Sequence, residues 1–92
     1  MSRYNSYNIC FTRTSKKQFD LLRPKVRREI IKILEEEIAR NPLKGKPLHG
    51  ALKGLRSERG GSLRIIYQII KRELVVMIIN IEHRKQVYRK HK

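Results

Sequence analysis

Arg64, Arg84 and Tyr88 are the side chains best suited to chemistry in this chain, with His83, Lys85 and Arg89 crowding the last two. A guanidinium binds phosphate oxygens through a planar fork that stays protonated at physiological pH. A phenol or an imidazole can move a proton, and nearby cations favour the phenolate form of a tyrosine. Residues of these types, gathered at one end of a small sheet, make a phosphate-binding surface able to assist proton transfer at a phosphodiester. Other chemistries find less support. His49, His83 and His91 are scattered and Cys10 stands alone, so no metal-ligand set is predicted. Glu35, Glu36 and Glu37 are consecutive on a helix and point in different directions, and the glycines from Gly45 to Gly61 lack the strand-to-helix setting of a phosphate loop. No cofactor fingerprint is present.

Charge agrees with a phosphate surface. Twenty-three Lys and Arg against eight Asp and Glu give a formal charge of +15, spread along the whole chain. Such self-repulsion is rationalised by a polyanionic partner whose counterions are released on binding, and nucleic acid leads that list. With 92 residues and 39% hydrophobic content the chain makes one domain, residues 1–92, with 1–6 and 90–92 expected to fray. A single cysteine, no N-terminal apolar stretch and no membrane-length run predict a soluble cytoplasmic protein with no membrane partner.

The elements that must position the arginines follow from periodicity. Alternation from Tyr7 to Phe11 predicts a half-buried strand, with Tyr7, Ile9 and Phe11 inward. Thr14 or Ser15 caps a short helix burying Phe19 and Leu22. Pro24 opens a longer helix in which Val26, Ile30, Ile33, Leu34 and Ile38 recur at steps of three and four, with charge pairs at helical spacing on its outer face. Asn41-Pro42 ends it, and the segment to Gly54 reads as a loop. Leu55 to Arg59 is then a short strand turning at Gly60-Gly61-Ser62 into a strand from Leu63 to Ile70. A turn at Lys71-Arg72-Glu73 leads to a last strand from Leu74 to Glu82. On parity, Leu63, Ile65, Tyr67 and Ile69 pack on the helices together with Val75, Met77, Ile79 and Ile81. Arg64, Ile66, Gln68 and Ile70 face the other way with Val76, Ile78, Asn80 and Glu82.

Several segments in this order resemble the RelE/ParE toxin superfamily, specifically its RelE-type messenger-RNA interferases. They are the helix closed by Asn41-Pro42, Gly45-Lys46-Pro47-Leu48, Leu52-Lys53-Gly54-Leu55, Arg64-Ile65-Ile66-Tyr67, His83-Arg84-Lys85 and Val87-Tyr88-Arg89. The resemblance implies an α+β fold, a small antiparallel sheet of about four strands with two N-terminal helices on one face, in the order β-α-α-β-β-β. It implies the toxin of a type II toxin–antitoxin system that cuts messenger RNA in the ribosomal A site, without metal or cofactor. A RelB-like antitoxin, acidic and partly disordered, would hold it inactive. By the same resemblance Arg64 contacts the scissile phosphate, Arg84 stabilises charge or acts as acid, and Tyr88 is the C-terminal catalytic tyrosine. Lys53, Arg56, Arg59, His83, Lys85 and Arg89 contact RNA, with His83 an alternative proton carrier. The chain departs from the family at Leu55-Arg56-Ser57-Glu58-Arg59, where Ser57 replaces a usual strand cation and Glu58 adds a carboxylate. No acid between Gly45 and Gly54 matches the glutamate base of the YoeB-like branch, so the general base is left open. Two other readings stand beside this one: a non-catalytic RNA- or ribosome-binding relative, and a ParE-type inhibitor of DNA gyrase.

Overall fold

The computed structural model describes residues 6–83. Strand β1 (Asn8–Phe11) is followed by helices α1 (Arg13–Asp20) and α2 (Pro24–Ile33), then β2 (Lys46–Pro47), β3 (Arg56–Gly60), β4 (Leu63–Ile70) and β5 (Val75–His83). The strands form one sheet in the order β1-β5-β4-β3-β2. The two helices and the meander are as the sequence predicts. The sheet has five strands rather than about four, and it is mixed rather than antiparallel, because β1 runs parallel to β5. β2 is a two-residue strand inside the segment read as loop.

Thr12, not Thr14 or Ser15, caps α1: its Oγ1 accepts from the Ser15 backbone N–H at 3.1 Å. Ser15 instead turns inward, is fully buried, and donates its Oγ–H to the Ile78 carbonyl at 2.7 Å. Pro24 occupies the first turn of α2 as expected, where its missing N–H costs nothing. Leu34–Ile38 continue the axis as a π turn, with the Ala39 N–H reaching the Leu34 carbonyl at 2.7 Å. Ile30, Leu34 and Ile38 are all buried by it against Leu63, Ile65 and Tyr67 of β4 and Val76, Ile78 and Ile81 of β5. The outer face of α2 forms none of the charge pairs its spacing offers. Among the described residues the ion pairs are Lys16–Asp20 and Lys44–Glu37, while Arg27 donates to the carbonyls of Asp20 and Leu22.

The largest correction lies in β5, which starts at Val75 because Leu74 takes a left-handed backbone (φ 55°) in the turn. Tyr67 faces Ile78 and Ile66 faces Asn80, so Ile79 is an extra residue, a bulge. The core therefore takes Val76, Ile78 and Ile81, and Val75 and Met77 pair with Ile70 and Gln68 on the other face. Without the bulge, a strand burying Val76 and Ile78 would also turn Asn80 and Glu82 towards the helices.

Candidate active site

Register sorts the strand cations onto two faces, because directly opposed residues of an antiparallel pair point the same way. Arg59 lies opposite Arg64, Arg64 is opposite Glu82, Ser57 is opposite Ile66, and Lys46 is opposite Ser57. Lys46, Ser57, Arg59, Arg64, Asn80 and Glu82 thus share the face turned away from the helices. Arg56 and Glu58 pair with Tyr67 and Ile65 and belong to the helix face. The Glu58 carboxylate is therefore not beside Arg64, contrary to its position in sequence.

Two arginines placed directly opposite each other cost stability, up to about 1 kcal/mol for like charges in such a pair. Arg59 is exposed and Arg64 half-buried. Among the described residues neither is ion-paired. The Glu82 carboxylate accepts from the Asn80 side-chain amide. Asn80 is itself held by the side chain of Gln18 on α1, and the Gln18 Oε1 accepts the Ile81 backbone N–H at 2.7 Å. One side chain from α1 thus satisfies a backbone donor that β1, ending at Phe11, is too short to reach.

The loop before β3 is fixed from below. The buried Tyr67 donates its hydroxyl to the Pro42 carbonyl at 2.6 Å, and burial first, then the nearby Glu58, pushes its pKa up to about 12. A Cβ on Gly45 would overlap that hydroxyl and come within 3.0 Å of the Ser57 carbonyl, so only glycine fits. Arg56 donates to the carbonyls of Leu43 and Gly45, at 3.2 and 2.7 Å. Lys44 is bound to Glu37 at 2.9 Å, which raises its pKa through that hydrogen bond. Lys46 emerges from this scaffold exposed, with Ser57 facing it.

Of the sequence-predicted site residues, Arg59 and Arg64 are brought together. Lys53 is exposed in the 42–55 loop, Arg56 serves the loop's carbonyls, and His83 pairs with Leu63 on the helix face at the end of β5. Arg84, Lys85, Tyr88 and Arg89 lie outside the described residues. Sequence reasoning missed Lys46, which is flanked by the turn formers Gly45 and Pro47 and gave no strand signal. It also placed Glu82 on the face of Arg64 without giving it a role. A groove of about 490 Å³, lined chiefly by Tyr7, Ile9, Phe11, Phe19, Ile31 and Leu34, opens on the helix side, away from Arg64.

Comparison with known proteins places this architecture. The family model for the ParE toxin of type II toxin–antitoxin systems matches residues 9–88. Toxin RelG of Mycobacterium tuberculosis is 32% identical over 85 residues, covering 91% of this chain and 98% of the relative. Toxin RelE of the same organism is 32% identical over 90 residues, covering 97% and 93%. The crystal structure of the M. tuberculosis toxin–antitoxin complex RelBE2 contains a chain that superposes with a TM-score of 0.81 at 31% identity, covering 86% of this chain and 92% of that one. The isolated E. coli RelE toxin shares the fold, with a TM-score of 0.72 at 24% identity over 94% and 95% of the two chains. The chain belongs to the RelE/ParE superfamily of type II toxin–antitoxin toxins.

Proposed function

We propose that this toxin is a ribosome-dependent endoribonuclease that cleaves messenger RNA in the A site by attack of a ribose 2′-hydroxyl on the adjacent phosphate. The observation that carries the reading is the Arg59–Arg64 pair. Two guanidinium groups held opposite each other repel in the free protein and attract a phosphate lodged between them. Lys46, opposite Ser57, extends the same positive strip one strand further and supplies a cation where the strand itself has none. RNA carries its own nucleophile, so the protein's tasks are alignment, neutralisation of the phosphorane-like charge and proton transfer. Arg64 and Arg84 hold the scissile phosphate and Tyr88 moves a proton. Lys53, Arg59, Lys85 and Arg89 contact the backbone of messenger or ribosomal RNA. The reaction needs no metal or cofactor. Toxin–antitoxin complexes among the structural neighbours support a partner of the same kind here, an acidic antitoxin covering the cationic face.

Primer extension on translated messenger RNA tests this. Wild type cuts within the A-site codon, and Arg64→Ala binds ribosomes but cleaves about 10²- to 10³-fold more slowly, the scale for losing one charge-stabilising donor. Intact messenger RNA in the presence of folded wild-type toxin refutes the assignment. The family match is described by the ParE name, so a gyrase supercoiling assay belongs beside it; inhibition there, with no RNA cleavage, selects the gyrase reading.

A further inference from the structure

The proposed reaction lacks an assigned acceptor for the 2′-hydroxyl proton, and the fold offers a carboxylate for it. Glu82 is the cross-strand neighbour of Arg64 on the face that Arg59 and Lys46 also occupy. Among the described strand residues of that face it is the sole acid. Among the described residues Arg64 and Glu82 form no salt bridge. One carboxylate oxygen, Oε2, is instead tied to the Asn80 amide, and Asn80 is tied to Gln18, which is anchored on the Ile81 N–H. Gln18 and Asn80 each use both ends of their amides, so the carboxylate is oriented by a chain running back to α1. The second oxygen, Oε1, has no partner among the described residues. Asn80, braced by Gln18 of α1, therefore orients the carboxylate, and the β5 bulge at Ile79 keeps it on this side of the sheet.

We propose that Glu82 is the general base of this toxin. The inference rests on the ribonuclease reading above. Opposed side chains in a strand pair start from Cβ atoms about 5 Å apart. A phosphate gripped by Arg64 thus presents the preceding ribose within reach of Glu82. The 2′-O–H bond breaks as its proton passes to Oε1, and the freed electron pair forms the new 2′-O–P bond. The P–O5′ bond then breaks, and the departing 5′-oxygen takes a proton from the Tyr88 hydroxyl, leaving a 2′,3′-cyclic phosphate and a 5′-hydroxyl. Glu82 releases its proton to solvent and Tyr88 regains one, so protons and charge balance over a turnover. Arg64 neutralises the charge that builds on the phosphorane.

Single-turnover cleavage of A-site messenger RNA by the full chain decides the matter. Glu82→Gln keeps an oxygen to accept from Asn80, so its melting temperature and ribosome affinity stay at or above those of wild type. Its cleavage rate falls about 10²- to 10⁴-fold, the range for losing a positioned proton acceptor. Glu82→Asp, which restores the carboxylate on a shorter arm, regains at least tenfold over Glu82→Gln. Cleavage by Glu82→Gln within threefold of wild type overturns the proposal, as does an equal loss in both variants accompanied by a lowered melting temperature, which marks a structural role. Failure of the underlying reading looks different: wild type itself does not cut, or Arg64→Ala cuts as fast as wild type.

Discussion

Tyr67→Phe tests whether the buried phenol holds the loop that carries Lys46. The ring packs at the centre of the core with no exposed surface, and its hydroxyl donates to the Pro42 carbonyl at 2.6 Å. Phenylalanine fills the same volume but leaves that buried carbonyl without this donor, which costs about 1–3 kcal/mol. At roughly 4–8 °C per kcal/mol for a domain of this size, the melting temperature should fall by several degrees or more. A second signature comes from pH. In the unfolded chain a phenol ionises near pH 10, whereas burial and Glu58 hold the Tyr67 proton to about 12. Between those values the unfolded state binds fewer protons, so stability falls with rising pH. The contribution is complete below about pH 10 and is lost as pH climbs through 12. Urea unfolding of wild type and Tyr67→Phe in parallel isolates this group, because every other side chain is common to both. The gap of about 1–3 kcal/mol near neutrality should narrow by roughly 1.5 kcal/mol between about pH 9.5 and 11.5. A neutral-pH gap under about 0.5 kcal/mol, below the cost of an orphaned acceptor, or a gap that stays constant into alkali, would refute the anchoring role.

Gly45→Ala should destabilise by about 1–3 kcal/mol through overpacking against Tyr67, and combining it with Tyr67→Phe should cost less than the sum, a coupling visible in a double-mutant cycle by denaturation. Arg59→Gln should leave the free toxin as stable as wild type or stabler by a few tenths of a kcal/mol, by relieving the repulsion with Arg64. The same change should lower the slope of log affinity against log salt for single-stranded RNA by about 0.7. Arg56→Gln should do the reverse, lowering the melting temperature through lost bonds to Leu43 and Gly45 with little change in that slope; equal salt slopes for the two variants would contradict the face assignment. Gln18→Ala strips the Ile81 N–H of its partner and should cost about 1–3 kcal/mol. Hydrogen exchange at Ile81 should rise with it, and unchanged protection there would argue against the α1 clamp.

Local patterning alone determined much of this protein. The steps of three and four from Val26 to Ile38 required a helix with one buried stripe. Alternation required strands at β1 and β4, and Gly60-Gly61-Ser62 required the hairpin, where Gly61 indeed takes φ 63°. The motifs from Gly45 to Arg89 pointed to the family, and Arg64 was legible as the central cation because its strand had an unambiguous inward set. Only the tertiary structure could decide the rest. Val75 to Ile79 is apolar on both faces, so nothing in its composition marks where one residue is skipped; packing against Ile30, Leu34 and Tyr67 selects Val76 and Ile78, and Ile79 absorbs the mismatch. The pairing of β1 with β5, of Lys46 with Ser57 and of Arg59 with Arg64 are long-range registers that no local preference encodes. Arg56 and Arg59 carry the same charge three residues apart, and it is strand register, through the two-residue repeat of side-chain direction, that gives one to the loop's carbonyls and the other to the phosphate surface.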